Sequence, residues 1–544
     1  MTDCNIAAAL QDTAAAQPDR IGLVALEDGQ WREWTFAQLK DNCDGFAAAL
    51  HAEGVRRGDR VMLMVRPSMA FVCLTFALFQ LGAVIILIDP GMGYKNLLRC
   101  IGSVRPDILV GIPQAIAFSR LFRRPFATVR RRIAVGRVWW LPGKALEPQP
   151  AGTGDLPRFQ AAAADPAAII FTTGSTGPPK GVAYTHGIFH AQLRLIRDYY
   201  GIGPGDVDQP GFPLFGLFAA ALGAKAVIPD MDPTRPAQVD PEKFVRTLLA
   251  HRVTYSFGSP AIWNVVSRYC LEKKIVLPVQ KVLMAGAPVS GELVARVQRI
   301  LPETALIFTP YGATESLPVA SIEGREIVGE TWPLTRTGHG ACVGRALPGI
   351  DVRIIEPVEG AIGSWQEVRE VGPGVIGEIV VRGPVVTRLY ADNGAETRLA
   401  KIVDGEDFWH RMGDMGSLDD QGRLWFCGRK AHRVVPTAEA MLYTIQCEAI
   451  FNEHPLVRRA ALIGLGDCPE RKTPVIVVEP EGPVGDQERL FAELRELAQA
   501  NPLTAQIEHF LIHRSFPVDI RHNAKIFREQ LAAWAAKRVQ LPCG

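Results

Sequence analysis

Apolar runs rich in β-branched residues recur along the first third of the chain, with helix-length stretches between them. Arg60-Val-Met-Leu-Met-Val65, Ala83-Val-Ile-Ile-Leu-Ile88 and Asp107-Ile-Leu-Val-Gly111 read as buried strands, and Phe36 to Gly54 reads as a helix. Such alternation predicts layered, largely parallel α/β sheets. The apolar stretch Ala70 to Ile88 approaches membrane-spanning length, but Gly82 interrupts it and Asp89-Pro90 ends it. It therefore reads as a buried helix followed by a buried strand. A Pro/Gly/Ala-rich linker is expected from Pro142 to Pro157, ahead of a strand at Ala167-Ala-Ile-Ile-Phe171. From Val343 to Arg382 short strands, among them Asp351 to Ile355 and Gly377 to Arg382, predict a smaller β-rich unit. Its Gly372-Pro-Gly374-Val-Ile-Gly377 has GxGxxG spacing, yet the strand follows the glycines and no helix opens there, so a dinucleotide fold is not indicated.

Composition changes this picture little. The 544 residues are 48% apolar and 21% charged, and 59 Lys and Arg nearly balance 57 Asp and Glu. Several compact units fit that length, and the whole-chain balance calls for neither nucleic acid nor an anionic membrane. Ten cysteines are scattered from Cys4 to Cys543 without a CxxC pair, which fits a reducing compartment better than a disulfide or zinc framework. The first residues lack the basic and apolar regions of a signal peptide, so a cytoplasmic location is expected.

The chemistry enters at Phe171-Thr-Thr-Gly-Ser-Thr-Gly-Pro-Pro-Lys-Gly181, directly after a predicted strand. Gly174 and Gly177 allow backbone N–H groups to approach an anion, Thr172, Thr173, Ser175 and Thr176 supply hydroxyl donors, and Lys180 adds a point charge. Two prolines separate that lysine from Gly177, so this is not a Walker loop.

This loop resembles the signature of the adenylate-forming superfamily that includes acyl-CoA synthetases, peptide-synthetase adenylation domains and beetle luciferases. Ala285-Gly-Ala-Pro288, Tyr311-Gly-Ala-Thr-Glu315, Gly413-Asp414, Gly428-Arg429 and Asn523-Ala-Lys525-Ile-Phe-Arg528 follow in the superfamily's order. The resemblance implies ATP and Mg²⁺ as cofactors. Gly286, Ala287 and Pro288 would border adenine, Tyr311 would pack on its ring, and Gly312 and Ala313 would line the same pocket. Thr314 would contact the α-phosphate, Glu315 with Thr173 would bind Mg²⁺, Asp414 would take the ribose hydroxyls and Arg429 would hold ribose or phosphate. Lys525 would be catalytic, stabilising charge as a carboxylate attacks phosphorus. The implied fold has a large N-terminal domain, residues 1–428, made of two layered α/β subdomains and a β-barrel-like one. A small mobile α+β lid, residues 429–544, would carry Lys525.

Thiol-acylating members of the superfamily usually carry an acidic or lysine hinge residue, then a glycine-bearing loop. This chain has Ala431 and Glu439 at those places. Gly216 stands where acyl-CoA synthetases commonly show histidine, and beside Phe215 it is expected to leave room in the acyl pocket. With Gly211 to Phe218 and Asp230 to Pro236, these departures resemble the β-lactone synthetases of bacterial long-chain olefin biosynthesis. That resemblance implies a 2-alkyl-3-hydroxy fatty acid substrate and possible fellow enzymes of an olefin pathway as partners. A long-chain acyl-CoA synthetase or an acyl-AMP ligase is the alternative.

Overall fold

The computed structural model describes residues 3–136, 145–150, 158–171, 178–212, 214–437, 440–466, 468, 471–519 and 525–539. The expected linker at Pro142 to Pro157 falls mostly outside them, as do Thr172 to Gly177 and Glu439. The early alternation forms a six-stranded sheet in the order Arg131–Ala134, Ile108–Gly111, Arg60–Met64, Val84–Leu87, Pro166–Phe171, Gly181–Thr185. All its pairings are parallel except the last. Strand alternation divides the apolar residues between its faces. Val61 and Leu63 join one core cluster, while Met62 joins another.

The ambiguous stretch after Ser68 becomes the helix Met69–Gln80, then the strand Val84–Leu87. Gly82 makes the connection with φ 68°, a left-handed conformation that favours glycine. At about 1.5 Å per residue the helix is far shorter than a bilayer, and no helix among the described residues is long and apolar enough to cross one. Its polar residues are satisfied in place: Thr75 Oγ1 donates to Phe71 O at 2.8 Å and Gln80 Nε2 to Asp44 Oδ1 at 3.0 Å.

A 14-stranded sheet forms the second layer. Its parallel part includes Tyr255–Gly258, Lys281–Met284 and the first residues of Leu306–Ala313. The β-rich unit after Val343 extends this sheet and does not close into a barrel. Ala341–Ala346 pairs with Ser316–Glu323 on one side and Leu424–Arg429 on the other, and Asp351–Ile355 forms the open end. Both strands of that unit predicted from sequence, Asp351–Ile355 and Gly377–Arg382, have the expected bounds. From Val434 onward the chain builds its own cores on a three-stranded sheet of Val457–Leu465, Thr473–Pro480 and His509–Ile512.

Candidate active site

A cavity of about 2040 Å³ runs among these layers and reaches the C-terminal unit. Lys180, Gly286, Ala287, Pro288, Tyr311, Gly312, Ala313, Thr314, Glu315, Asp414, Arg429 and Lys525 all line it, so residues more than 300 positions apart share one wall. Thr172 to Gly177 lie outside the described residues.

Local geometry explains why these side chains meet. Thr314 and Glu315 are the two-residue tip of a hairpin between Leu306–Ala313 and Ser316–Glu323, closed by the Ala313–Ser316 pair. A Cβ on Gly312 would sit 2.6 Å from Ser316 O, so glycine is required at that close approach. Asp414 and Arg429 are cross-strand partners in register. Arg429 Nη1 donates to Asp414 Oδ1 at 2.7 Å, and Tyr311 Oη donates to Asp414 Oδ2 at 2.6 Å. Burial and the Asp414 charge push the Tyr311 hydroxyl well above its usual range, so it stays a donor. The same carboxylate raises Arg429. A carboxylate has more lone pairs than these two bonds use. Arg429 Nε is buried with no hydrogen-bond partner among the described residues, an unmet donor suited to a ribose or phosphate oxygen.

Around Glu315 stands a group of residues that, Lys180 apart, have no local sequence signal. Tyr390 Oη donates to Glu315 Oε1 at 2.7 Å, while Thr387 N and Oγ1 donate to Glu315 O at 2.9 and 3.0 Å. Tyr184 Oη donates to Thr314 O at 2.6 Å, and Lys180 Nζ meets Glu396 Oε2 at 2.5 Å. Beneath them Lys401 donates to Thr387 O. Apart from the Lys401–Thr387 bond, each pairing joins residues at least 72 positions apart in the chain.

Burial pushes the Lys401 ammonium down to about 7, with the Glu315 charge acting in the opposite sense. Lysine in the unfolded chain titrates near ~10.4. Between those values the unfolded state holds the proton and the folded state releases it, so the unfolded state binds more protons and stability rises with pH. The full cost of burying the charge is present below the folded value and is relieved as pH rises toward the unfolded one. Chemical denaturation at two pH values in this window should therefore show the wild type gaining on the order of 1 kcal/mol per pH unit over Lys401→Met. Parallel profiles for the two proteins would show that Lys401 keeps its proton throughout.

One part of the cavity is aromatic. Phe215 lines it and stacks on Phe257 with ring centroids 3.8 Å apart. Gly216, expected to leave room in the acyl pocket, is buried and does not itself line the cavity, and a Cβ there would meet Pro210 Cγ at 3.4 Å and Ala226 Cβ at 3.8 Å. The space it leaves faces the 14-stranded sheet. Among the described histidines, His410 and His432 line the cavity, and burial lowers the His432 imidazole to about 4.

No group of three or more His, Cys, Asp or Glu side chains among the described residues could hold a metal alone. Glu315 places a carboxylate on the cavity wall, the oxygen donor type that Mg²⁺ takes together with phosphate oxygens.

The chain is similar to several known proteins. It is 45% identical to the olefin β-lactone synthetase of Xanthomonas campestris, over 99% of this chain and 98% of that one. With the olefin β-lactone synthetase of Stenotrophomonas maltophilia it shares 42% identity over 99% of both chains. The fold resembles ATP-bound MatB from Rhodopseudomonas palustris, with a TM-score of 0.77 and 20% identity, covering 98% of this chain and 99% of that one. Residues 10–391 match the model of the AMP-binding enzymes, and the chain belongs to that family.

Proposed function

We propose that the chain is an ATP-dependent olefin β-lactone synthetase that activates a 2-alkyl-3-hydroxy fatty acid as its adenylate and closes it to a β-lactone. The full-length identity to the Xanthomonas campestris olefin β-lactone synthetase carries this reading. The substrate carboxylate attacks the α-phosphorus of ATP and pyrophosphate leaves. The substrate's 3-hydroxyl, tethered to the activated carbonyl, then attacks the acyl carbon and expels AMP. Tethering supplies the high effective concentration of the nucleophile.

In this reading residues 1–428 bind ATP and the acyl chain, and residues 429–544 are the lid that carries Lys525. Gly286 to Pro288 and Tyr311 to Ala313 surround adenine, Asp414 and Arg429 hold ribose, and Thr314 faces the α-phosphate. Glu315 and Thr173 would hold Mg²⁺, which would neutralise phosphate charge, and Thr172 to Gly177 with Lys180 would supply the phosphate-binding groups. The aromatic lining at Phe215 and Phe257 supports an acyl chain there. The cysteines form no disulfide among the described residues, which supports a reducing, cytoplasmic setting, and other olefin-pathway enzymes would supply the acid and consume the lactone.

Product analysis tests the proposal. A 3-hydroxy acid with ATP and Mg²⁺ should yield β-lactone, AMP and pyrophosphate without coenzyme A, and the matched 3-deoxy acid should yield acyl-AMP or its hydrolysis products. Acyl-CoA as the main product from both acids when coenzyme A is supplied, with no lactone, would replace this reading by that of an acyl-CoA synthetase.

A further inference from the structure

The near-neutral total conceals one strongly basic face. From Tyr94 to Arg132 the sequence has nine Lys and Arg against the single acid Asp107, a local charge of +8 in a chain of net +2. Arg130 and Arg131 pair with Asp59 and Glu53, and Arg132 donates to Ser119. The other six, Lys95, Arg99, Arg105, Arg120, Arg123 and Arg124, are exposed and form no ion pair among the described residues.

The fold gathers most of them on one side. Helix Tyr94–Val104 buries Leu97, Cys100, Ile101 and Val104, the i, i+3, i+4, i+7 face, which leaves Tyr94, Lys95 and Arg99 outward. Helix Pro113–Leu121 lies alongside. The Tyr94 and Phe118 rings are 5.9 Å apart, Phe118 and Phe122 are 4.7 Å apart, and a Cβ on Gly102 would lie 3.8 Å from Pro125 Cα. Large apolar groups stand among the charges, with Tyr94 74%, Leu121 75% and Phe122 37% exposed. Tyr94, Gln114 and Phe118 also line the cavity, so this face adjoins one of its mouths.

We propose that this surface docks on an anionic lipid bilayer, placing the cavity mouth against the membrane. Unpaired cations would sit among anionic headgroups while Tyr94, Leu121 and Phe122 enter the interface, where aromatic and leucine side chains are favoured. The charge complements a lipid surface and opposes a second copy, because a two-fold dimer through this face would set like charges against each other. The exposed apolar side chains favour a bilayer over a nucleic acid, which would need only the charges. If the acid and lactone are the long-chain species of the proposed function, the contact gives them a route between bilayer and active site.

The test is sedimentation of the full chain with vesicles. At about 0.1 M salt, where the screening length is ~10 Å, the chain should bind vesicles of equal parts phosphatidylcholine and phosphatidylglycerol, bind pure phosphatidylcholine far less, and dissociate as salt rises. Each basic residue near such a surface contributes roughly fivefold to partitioning, so Arg120→Gln/Arg123→Gln/Arg124→Gln should weaken binding about a hundredfold. Leu121→Ser should weaken it severalfold with the charge intact. Both variants should keep the wild-type melting temperature and the wild-type rate of pyrophosphate release with a water-miscible acid, so binding is read independently of catalysis. Equal sedimentation of wild type and triple variant would overturn the proposal. So would tighter binding to a single-stranded RNA probe than to vesicles, or lipid-free self-association that the triple variant abolishes.

Discussion

Lys525→Ala should slow ATP- and acid-dependent pyrophosphate release by roughly a hundredfold or more, the loss typical of a removed charge-stabilising group. ATP binding should change little, because adenine and ribose face Gly286 to Pro288, Tyr311 to Ala313, Asp414 and Arg429 in the proposed site. The lysine's backbone is held firmly: Lys525 N donates to Asp519 Oδ1 at 2.9 Å, and Asp519 N donates to Lys525 O at 3.0 Å. Three residues on, Arg528 Nη1 and Nη2 donate to the buried Glu448 carboxylate at 2.6 and 3.1 Å. These contacts set the lysine's backbone on the cavity wall, so truncating the side chain removes charge at the proposed reacting centre with little disturbance of the backbone around it. Stopped-flow release of pyrophosphate, paired with equilibrium ATP binding, separates the two effects. A near-normal rate would remove Lys525 from the chemistry, and a lost ATP affinity would make it a binding residue.

Local features of the fold were legible because their causes are local. The strands at Arg60, Val84 and Ile108 announce themselves by β-branched runs, and the helix Phe36–Ala52 begins at a capping box made by Thr35 and Gln38. The candidate site was legible where contiguous motifs carry it, as at Tyr311 to Glu315. What joins distant segments was not. The open extension of the large sheet depends on the pairing of Ala341–Ala346 with Leu424–Arg429, strands some eighty residues apart whose partnership no local pattern specifies. Tyr390 reaches Glu315 across 75 residues, and its sequence neighbours Leu389 and Ala391 give no hint of a buried donor. Gly216 shows a different limit. A missing side chain signals space, but only the helix's orientation tells which side of it the space lies on. The whole-chain charge likewise averages away the basic face, which a window from Tyr94 to Arg132 reveals.

Glu315→Gln should raise the Mg²⁺ concentration needed for half-maximal pyrophosphate release by at least ten- to a hundredfold, since a neutral amide is a poor ligand for a hard cation. With no three-ligand protein site available among the described residues, the effect should appear in titrations with ATP present, where phosphate oxygens complete the coordination. Tyr390→Phe offers a graded comparison. The hydroxyl donates to Glu315 Oε1, while Oε2 has no hydrogen-bond partner among the described residues. Burial and the neighbouring carboxylate push the tyrosine's ionisation far above its usual range, so it remains a donor at every working pH. Removing such an outer partner costs a metal site about ten- to a hundredfold in affinity or activity. Because Thr387 still holds the Glu315 backbone carbonyl in Tyr390→Phe, the carboxylate remains at the hairpin tip and excess Mg²⁺ should restore most of the rate. In Glu315→Gln the charge itself is gone, so saturating metal should restore little. Unchanged magnesium curves in both variants would place the ion elsewhere. A shifted curve for Tyr390→Phe alone would assign the ion's contact to the tyrosine instead of the glutamate.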